Sequence, residues 1–223
     1  MLKAIFWDMD GTMVDSEPLW GLATYELSER LGRRLPPELR EQTMGGSFRN
    51  TLEVCAEHAS VTLTPEDYPR QRRIMFDRMA GLLAEQLVPN PGVQKLLADL
   101  QDTKLPMVVT TNTERELADP SIAAVGEQFF TDSISGDEVT HPKPAPDMYL
   151  EAARRVGAHP SECLVFEDSQ AGMSAAAAAG CRVIGLSEHP PEGVVALSSL
   201  HDRTDFVGVT AETVAMWFQR LSG

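Results

Sequence analysis

The sequence predicts an α/β protein, a doubly wound parallel sheet with a small all-helical unit inserted after the first strand. Three observations lead there. Apolar runs without helical period, "KAIFW" (3–7), "PMVVTT" (106–111), "ECLVFED" (162–168) and "CRVIGL" (181–186), read as strands buried on both faces. Stretches of helical period separate the later runs, and strands alternating with helices make βαβ units. Residues 16–88, by contrast, show helical period and no strand, and "PNPG" (89–92) closes that section like a linker. The expected domains are 1–15 with 89–223 for the sheet, and 16–88 for the helical insert.

Each element follows in order. Ser16 is a candidate N-cap, Pro18 suits a first turn, and Leu19, Leu22, Ala23, Leu27 and Leu31 recur at helical spacing. Phe48, Thr51, Leu52, Cys55 and Ala59 share one face of a second helix. Thr64 then caps a third, with Pro65 at its first position and a stripe of Tyr68, Met75, Met79, Leu82 and Leu83. "GVQKLLADL" (92–100) is helical and leads into the strand at 106–111. A helix lies within 114–126, where "ADP" (118–120) is a candidate break. A short strand within 132–139, a helix over 145–157, and the helix "SQAGMSAAAAAG" (169–180) surround the strand at 162–168. After the strand at 181–186, a short strand near Phe206 and a helix over 211–221 finish the chain.

Bulk composition excludes several functions. With 223 residues, 43% of them apolar and 23% charged, the chain can bury one substantial core. A net charge of -14 argues against nucleic acid or an anionic membrane as partner. The N-terminal apolar stretch is short and broken by Asp8 and Asp10, which fits neither a signal peptide nor a membrane span. Cys55, Cys163 and Cys181 are odd in number and widely spaced, so buried free thiols and a reducing cytoplasm are expected. His58, His141, His159, His189 and His201 show no metal spacing, and "RQRR" (70–73) reads as a solvated helix face.

Three of the proposed strands end in polar residues: Asp8 with Asp10, Thr111 with Asn112, and Glu167 with Asp168. Open parallel sheets bind ligands beyond the carboxyl ends of their strands, so these residues are expected in one crevice. "HPKPAPD" (141–147) adds Lys143, stiffened by a proline on each side. Asp8, Glu167 and Asp168 cannot stay ionised and crowded without a cation. Oxygen-only ligands favour a hard ion, Mg²⁺ above all. Gly11 lets the chain turn after Asp10, so one carboxylate can attack while the second handles protons. Thr111 offers a hydroxyl, Asn112 a backbone N–H and Lys143 a positive charge to an anionic oxygen. Together they describe a phosphoryl-transfer site, locally cationic in an acidic protein. A DxD pair alone also fits a calcium loop or a capped turn; Lys143 and the Glu167–Asp168 pair set this one apart.

Taken together, "DMDGT", "VVTTN", "KPAPDMY" and "VFEDSQAG", in that order, resemble the four motifs of the haloacid dehalogenase superfamily of phosphotransferases over essentially the full length. The resemblance implies a Rossmann-like core with a helical cap. It implies Asp8 as the nucleophile that becomes a phosphoaspartate and Asp10 as general acid/base. Thr111, Asn112 and Lys143 would hold the phosphoryl group. Asp8, the Asp10 backbone carbonyl and Asp168 would bind Mg²⁺, with Glu167 in or next to the shell. Gly172 in the fourth motif reads as a close-packing position for a helix against the sheet.

Within that superfamily, Asp10 argues against the true dehalogenases, which lack an acid/base two positions after the nucleophile. No lysine occurs between Lys3 and Lys95, which removes the cap lysine that phosphonatases need. β-Phosphoglucomutase is similar in motifs, in cap type and in an arginine after a Gly-rich turn, here Arg49 in "GGSFRN". That mutase carries a histidine in the hinge segment, whereas this chain has "DSEPLW" with Trp20 near that place. The resemblance is to the hexose-phosphate phosphatases, so the expected function is Mg²⁺-dependent hydrolysis of a small sugar or polyol phosphate, with a β-phosphoglucomutase-like mutase as the alternative. A non-catalytic phosphate-binding protein would have lost Asp10 or Lys143, and both are present. Arg49, Glu17 and Trp20 are the cap candidates for contacting the leaving group, and a monomer is expected.

Overall fold

A computed structural model describes residues 1–44 and 47–221, which leaves Gly45 and Gly46 of the Gly-rich turn outside the described residues. The chain divides into two compact units, Met1–Asp15 with Val88–Gly223, and Ser16–Leu87. It begins with β1 (Ala4–Trp7), followed by four helices, α1 (Glu17–Arg30), α2 (Pro37–Glu41), α3 (Phe48–Ala59) and α4 (Asp67–Gln86). Then come α5 (Val93–Asp102), β2 (Met107–Thr110), α6 (Arg115–Val125), β3 (Asp132–Ile134), α7 (Asp147–Arg155) and β4 (Cys163–Glu167). The chain ends with α8 (Gln170–Ala178), β5 (Arg182–Gly185), β6 (Val195–Ala196) and α9 (Ala211–Arg220).

All the strands pair in parallel, in the order β3-β2-β1-β4-β5-β6. The chain therefore builds outward from β1 to one side, then crosses over and builds outward from β4 to the other. Such a reversal leaves a crevice at the carboxyl ends of β1 and β4, where open α/β sheets bind ligands. Because helices cover both faces, β1, β2 and β4 are buried along their whole length, which is why they read as unbroken apolar runs. Ala4, Phe6, Val108, Val165 and Val183 pack on one face with Tyr149 of α7 and Met173 of α8. On the other face Trp7 and Phe166 stack at 4.6 Å, and Phe206 meets both edge-on.

Phe206 is therefore a core aromatic and not part of a strand. The last strand of the sheet is the two-residue β6, formed where Val195 and Ala196 pair with Ile184 and Gly185. The segment carrying Phe206 is instead fixed by its N–H donating to the Pro91 carbonyl (3.1 Å). "ADP" does not split α6: Pro120 sits inside one continuous helix, which loses a single backbone hydrogen bond there.

In the helical unit α1 packs against α3 and α4. Leu19, Ala23 and Leu27 of α1, Leu52 and Cys55 of α3, and Met75, Met79, Leu82 and Leu83 of α4 are buried. Trp20 and Phe48 both meet Phe76 edge-on, at 6.2 and 6.3 Å. Leu22 does not join this face and is 44% exposed. The helix expected from Pro65 starts at Asp67, whose carboxylate accepts from the N–H (2.8 Å) and hydroxyl (2.9 Å) of Thr64. These bonds tie residues 64–67 into a turn that delays the helix. Around residues 70–73, Arg70 pairs with Asp67 and Arg73 with Asp77, and both arginines are exposed. Gln71, however, is buried and the Arg72 guanidinium lies 3.8 Å from the Phe76 ring centroid, so the expected solvated face is solvated only in part. Cys55 and Cys163 are buried and Cys181 is half-buried; all three are free thiols. Among the described residues no helix is long and apolar enough to cross a membrane.

Candidate active site

β1 delivers Asp8 to the crevice. Its backbone N–H still donates to the Phe166 carbonyl (3.0 Å), so Asp8 is held by β4 as the strand runs out. Residues 9–14 then turn tightly: Met13 and Val14 donate to the Met9 carbonyl, and Gly11 donates to Val14. Gly11 has φ of +87°, a region that side-chain-bearing residues rarely adopt, and a Cβ there would overlap the Asp168 carboxylate. Glycine thus serves two needs at once, the turn after Asp10 and the approach of Asp168 from the end of β4.

Lys143 joins the strand ends. Its Nζ donates to Asp8 Oδ1 (2.6 Å), to Glu167 Oε1 (2.6 Å) and to the Thr110 carbonyl (2.9 Å), which uses all three of its protons. The Asn112 side chain fixes the lysine backbone from both sides, donating to its carbonyl (3.0 Å) and accepting from its N–H (3.0 Å). Tyr149 lies beneath, its ring centroid 5.3 Å from Nζ and its hydroxyl donating to Glu167 Oε1 (3.3 Å). Glu167 is fully buried, and its Oε2 accepts from the N–H (2.8 Å) and hydroxyl (3.0 Å) of Ser169. Gly172 had been expected to let a helix close on the sheet. It does so at the end of β4, where a Cβ at 172 would overlap the Glu167 carboxylate.

The electrostatics of the cluster are unbalanced. Oxygens of Asp8, Glu167 and Asp168 lie within 4.8 Å of one another, against one ammonium. Burial pushes the Asp8 carboxyl well above the usual carboxylate range, and Glu167 and Asp168 push it the same way against Lys143. Asp168 is raised by burial and then by Glu167. Burial works against the charge of Lys143, but Asp8, Tyr149 and Glu167 outweigh it and hold the lysine above its ordinary range. Asp8 Oδ2 is buried without a hydrogen-bond partner. An anionic oxygen withdrawn from water with no donor calls for a cation or an electrophile. Asp8 and Asp168 therefore fit a metal ion, and the cluster could hold one. Glu167 is within the same distances, but both its oxygens already accept from Lys143, Tyr149 and Ser169.

The segment after β2 supplies the remaining residues. Thr111 is buried; its N–H donates to the Ile134 carbonyl (3.0 Å) and its Oγ1 accepts from the Thr113 N–H (3.1 Å). Thr113 donates its hydroxyl to Asp10 Oδ2 (2.7 Å). The sequence reading had no role for Thr113, Thr12, Tyr149 or Ser169. Thr12 donates to Asp168 Oδ1 (3.3 Å), and its own carbonyl accepts from Asn90 (3.1 Å). The available signal was position: Thr12 and Thr113 each stand two residues beyond an assigned one, and Tyr149 and Ser169 lie inside quoted motifs.

The structure thus brings Asp8, Asn112, Lys143 and Glu167 into one hydrogen-bonded cluster, joins Asp10 to Thr111 through Thr113, and sets Asp168 beside Asp8 and Glu167. Glu17, Trp20 and Arg49 belong to the helical unit, where each is engaged locally. Glu17 pairs with Arg40, a buried arginine that the sequence did not single out. Trp20 packs on Phe76, and Arg49 pairs with Glu53 (2.9 Å) with its guanidinium 4.7 Å from the Tyr68 ring centroid.

Comparison with known proteins identifies the family. Residues 2–180 match the family of haloacid dehalogenase-like hydrolases. A probable pseudouridine-5'-phosphatase of Drosophila melanogaster is 35% identical over 79% of this chain and 78% of its own length. A phosphorylated carbohydrates phosphatase of Thermotoga maritima is 28% identical over 89% and 91%. The crystal structure of CbbY from Rhodobacter sphaeroides in complex with phosphate is 26% identical, covers 93% of this chain and 97% of that one, and superimposes with a TM-score of 0.75. The match of four fifths of the chain, joined to a carboxylate and lysine cluster at the switch point of the sheet, makes this protein a member of the haloacid dehalogenase-like hydrolases.

Proposed function

We propose that this hydrolase is a Mg²⁺-dependent phosphatase that cleaves a small phosphorylated metabolite, a sugar or polyol phosphate, through an aspartyl phosphate. The observation that carries the reading is Asp8: buried, held at Oδ1 by Lys143, without a donor at Oδ2, and two residues from a second carboxyl. Asp8, Asp168 and the Asp10 backbone carbonyl would hold Mg²⁺, with Glu167 beside the shell as the residue that anchors Lys143. When bound, the ion supplies positive charge that offsets the crowded carboxylates and the phosphoryl oxygens.

Asp8 acts as nucleophile. Its carboxylate oxygen bonds to phosphorus as the ester P–O bond breaks, and protonated Asp10 gives its proton to the departing alkoxide. Asp10, now ionised, takes a proton from water. The resulting hydroxide adds to phosphorus, the Asp8–phosphorus bond breaks, and inorganic phosphate leaves. Thr111 donates to a phosphoryl oxygen through both steps, the backbone N–H of Asn112 adds a second donor, and Lys143, its protons held by Asp8, Glu167 and Thr110, supplies positive charge beside them.

The helical unit acts as the cap that selects the leaving group, with Arg49, Glu17 and Trp20 as contacts. The names of the two phosphatase relatives support a sugar-like leaving group. Trp20 favours hydrolysis over transfer to a second sugar, because it offers no proton-handling group. Three free thiols support a reducing cytoplasm.

The test is phosphate release from a panel of sugar, polyol and nucleotide phosphates, with Mg²⁺ and with EDTA, for the wild type and Asp8→Asn. Mg²⁺-dependent release that disappears in Asp8→Asn is expected. Equal release by Asp8→Asn would remove the phosphoaspartate from the mechanism.

A further inference from the structure

We propose that Thr113 is the positioning residue that holds the Asp10 carboxyl in place for proton transfer, an inference that rests on the phosphatase reading. Its hydroxyl donates to Asp10 Oδ2 at 2.7 Å, the ordinary length of an O–H···O hydrogen bond. The donor is itself fixed from both ends of its residue. The Thr113 N–H donates to Thr111 Oγ1 (3.1 Å), and the Thr113 carbonyl accepts from the Gly136 N–H (3.2 Å), just beyond β3. Thr111 is tied in turn to β3 through the Ile134 carbonyl (3.0 Å). The hydroxyl of Thr113 is therefore aimed by a segment tied to β3, and Asp10 stands just before Gly11 in the turn after β1. The bond between the two residues sets the plane of the carboxyl.

The same arrangement couples two jobs. Thr111 Oγ1 accepts from Thr113, so its own proton remains to be donated to a phosphoryl oxygen. One three-residue segment thus binds the phosphoryl group at its first residue and orients the acid/base at its third.

The two chemical steps need Asp10 unequally, and the test follows from that. A sugar alkoxide must be protonated to leave, whereas p-nitrophenolate leaves without a proton. Water must be deprotonated in the second step with either substrate. Thr113→Val keeps the shape and removes the hydroxyl; Thr113→Ser keeps the hydroxyl. With p-nitrophenyl phosphate, Thr113→Val is expected to form the aspartyl phosphate at the wild-type rate and hydrolyse it roughly tenfold or more slowly, part of what general acid–base catalysis supplies. A burst of p-nitrophenol approaching one equivalent and acid-stable phosphoenzyme in the quenched protein would report this. With the sugar or polyol phosphate that the wild type turns over fastest, kcat falls with no burst, KM changes little, and Thr113→Ser restores both behaviours.

Equal slowing of both steps with p-nitrophenyl phosphate, or failure of serine to restore them, would overturn the assignment and leave Thr113 a structural residue. Unchanged kinetics in Thr113→Val would overturn it as well. Asp8→Asn is run alongside: if it stays active, the phosphatase reading has failed, and if it is dead while Thr113→Val behaves as wild type, only the present inference falls.

Discussion

At the rim of the sheet the Lys143 side chain is 2% exposed and gives all three protons to fixed acceptors, whereas in the helical unit the Arg49 side chain is 72% exposed and pairs with one glutamate. Both are cations that the proposed function assigns to phosphate chemistry, yet physics treats them differently. A buried charge is tolerable only with every partner present, so Lys143, Asp8, Glu167, Asn112, Tyr149 and Ser169 must be kept together or lost together. An exposed arginine contributes little to stability and can be exchanged at little cost. Under the proposed function, chemistry that must not vary sits where substitution unfolds the protein, and selection of the substrate would sit where substitution is cheap.

The largest expected effect tests the first half of that contrast. Lys143→Met leaves Asp8 and Glu167 buried together with no cation. Breaking a buried pair on one side costs about 3–5 kcal/mol, so urea unfolding in EDTA should show a loss of that size together with loss of turnover. A stability change under about 1 kcal/mol would mean that the rim tolerates uncompensated charge, and the contrast would be broken.

Arg40 lies between the two extremes and sharpens the comparison. Its side chain is 9% exposed, its Nη1 donates to the Thr43 hydroxyl (2.9 Å), and its Nε is buried without an acceptor. Its carboxylate partner Glu17 is 40% exposed and can be rehydrated when the arginine goes. Arg40→Met should therefore change stability by no more than about 1 kcal/mol, because an apolar side chain replaces a buried charge that was not fully satisfied. The released Glu17 should raise KM for the preferred sugar phosphate while turnover of p-nitrophenyl phosphate stays at the wild-type level. A loss as large as that of Lys143→Met would show that the helical unit depends on buried charge as the rim does.

How much of this the sequence could reveal follows the same division. β1, β2, β4 and β5 were legible because burial on both faces demands an unbroken apolar run, and Asp8, Lys143 and Asp168 because their residue types are costly without partners. β6 was not, since two half-buried residues carry no period and are strand only by pairing with β5. The five-residue α2 was missed for a similar reason. Glu167 was expected in or next to the metal shell, and its bonds with Lys143, Tyr149 and Ser169 were not legible, because a sequence shows the charge of a carboxylate and not who occupies its oxygens. Thr113 and Arg40 were invisible because their importance lies in one contact each, with Asp10 and Glu17, that only the folded chain creates.

Arg49→Ala should be smaller again. With the side chain mostly in water, its pair with Glu53 is expected to contribute under about 0.5 kcal/mol by urea unfolding. KM for the preferred sugar phosphate should rise several-fold with kcat little changed, the pattern of lost ground-state binding. An unchanged KM would remove Arg49 from the substrate contacts.

The smallest effect belongs to a surface cluster on α7, and it has a definite sign. Glu151 accepts from Arg154 and Arg155, and those bonds lower its carboxyl from 4.5 to about 2. A carboxyl lowered on folding stabilises the protein above its unfolded value, near 4.5, and the gain disappears as pH falls through the folded value, near 2. Solvent screening at this exposed site keeps the gain under about 1 kcal/mol. Glu151→Gln should therefore be slightly less stable than the wild type by urea unfolding at pH 7, with the difference shrinking between pH 4.5 and pH 2. A difference that grew on acidification would reverse the sign and show the arginines to be stabilised by other partners. A difference as large as that of Lys143→Met would erase the distinction between rim and surface, since the same pairing of charges would then count equally in water and in the buried rim.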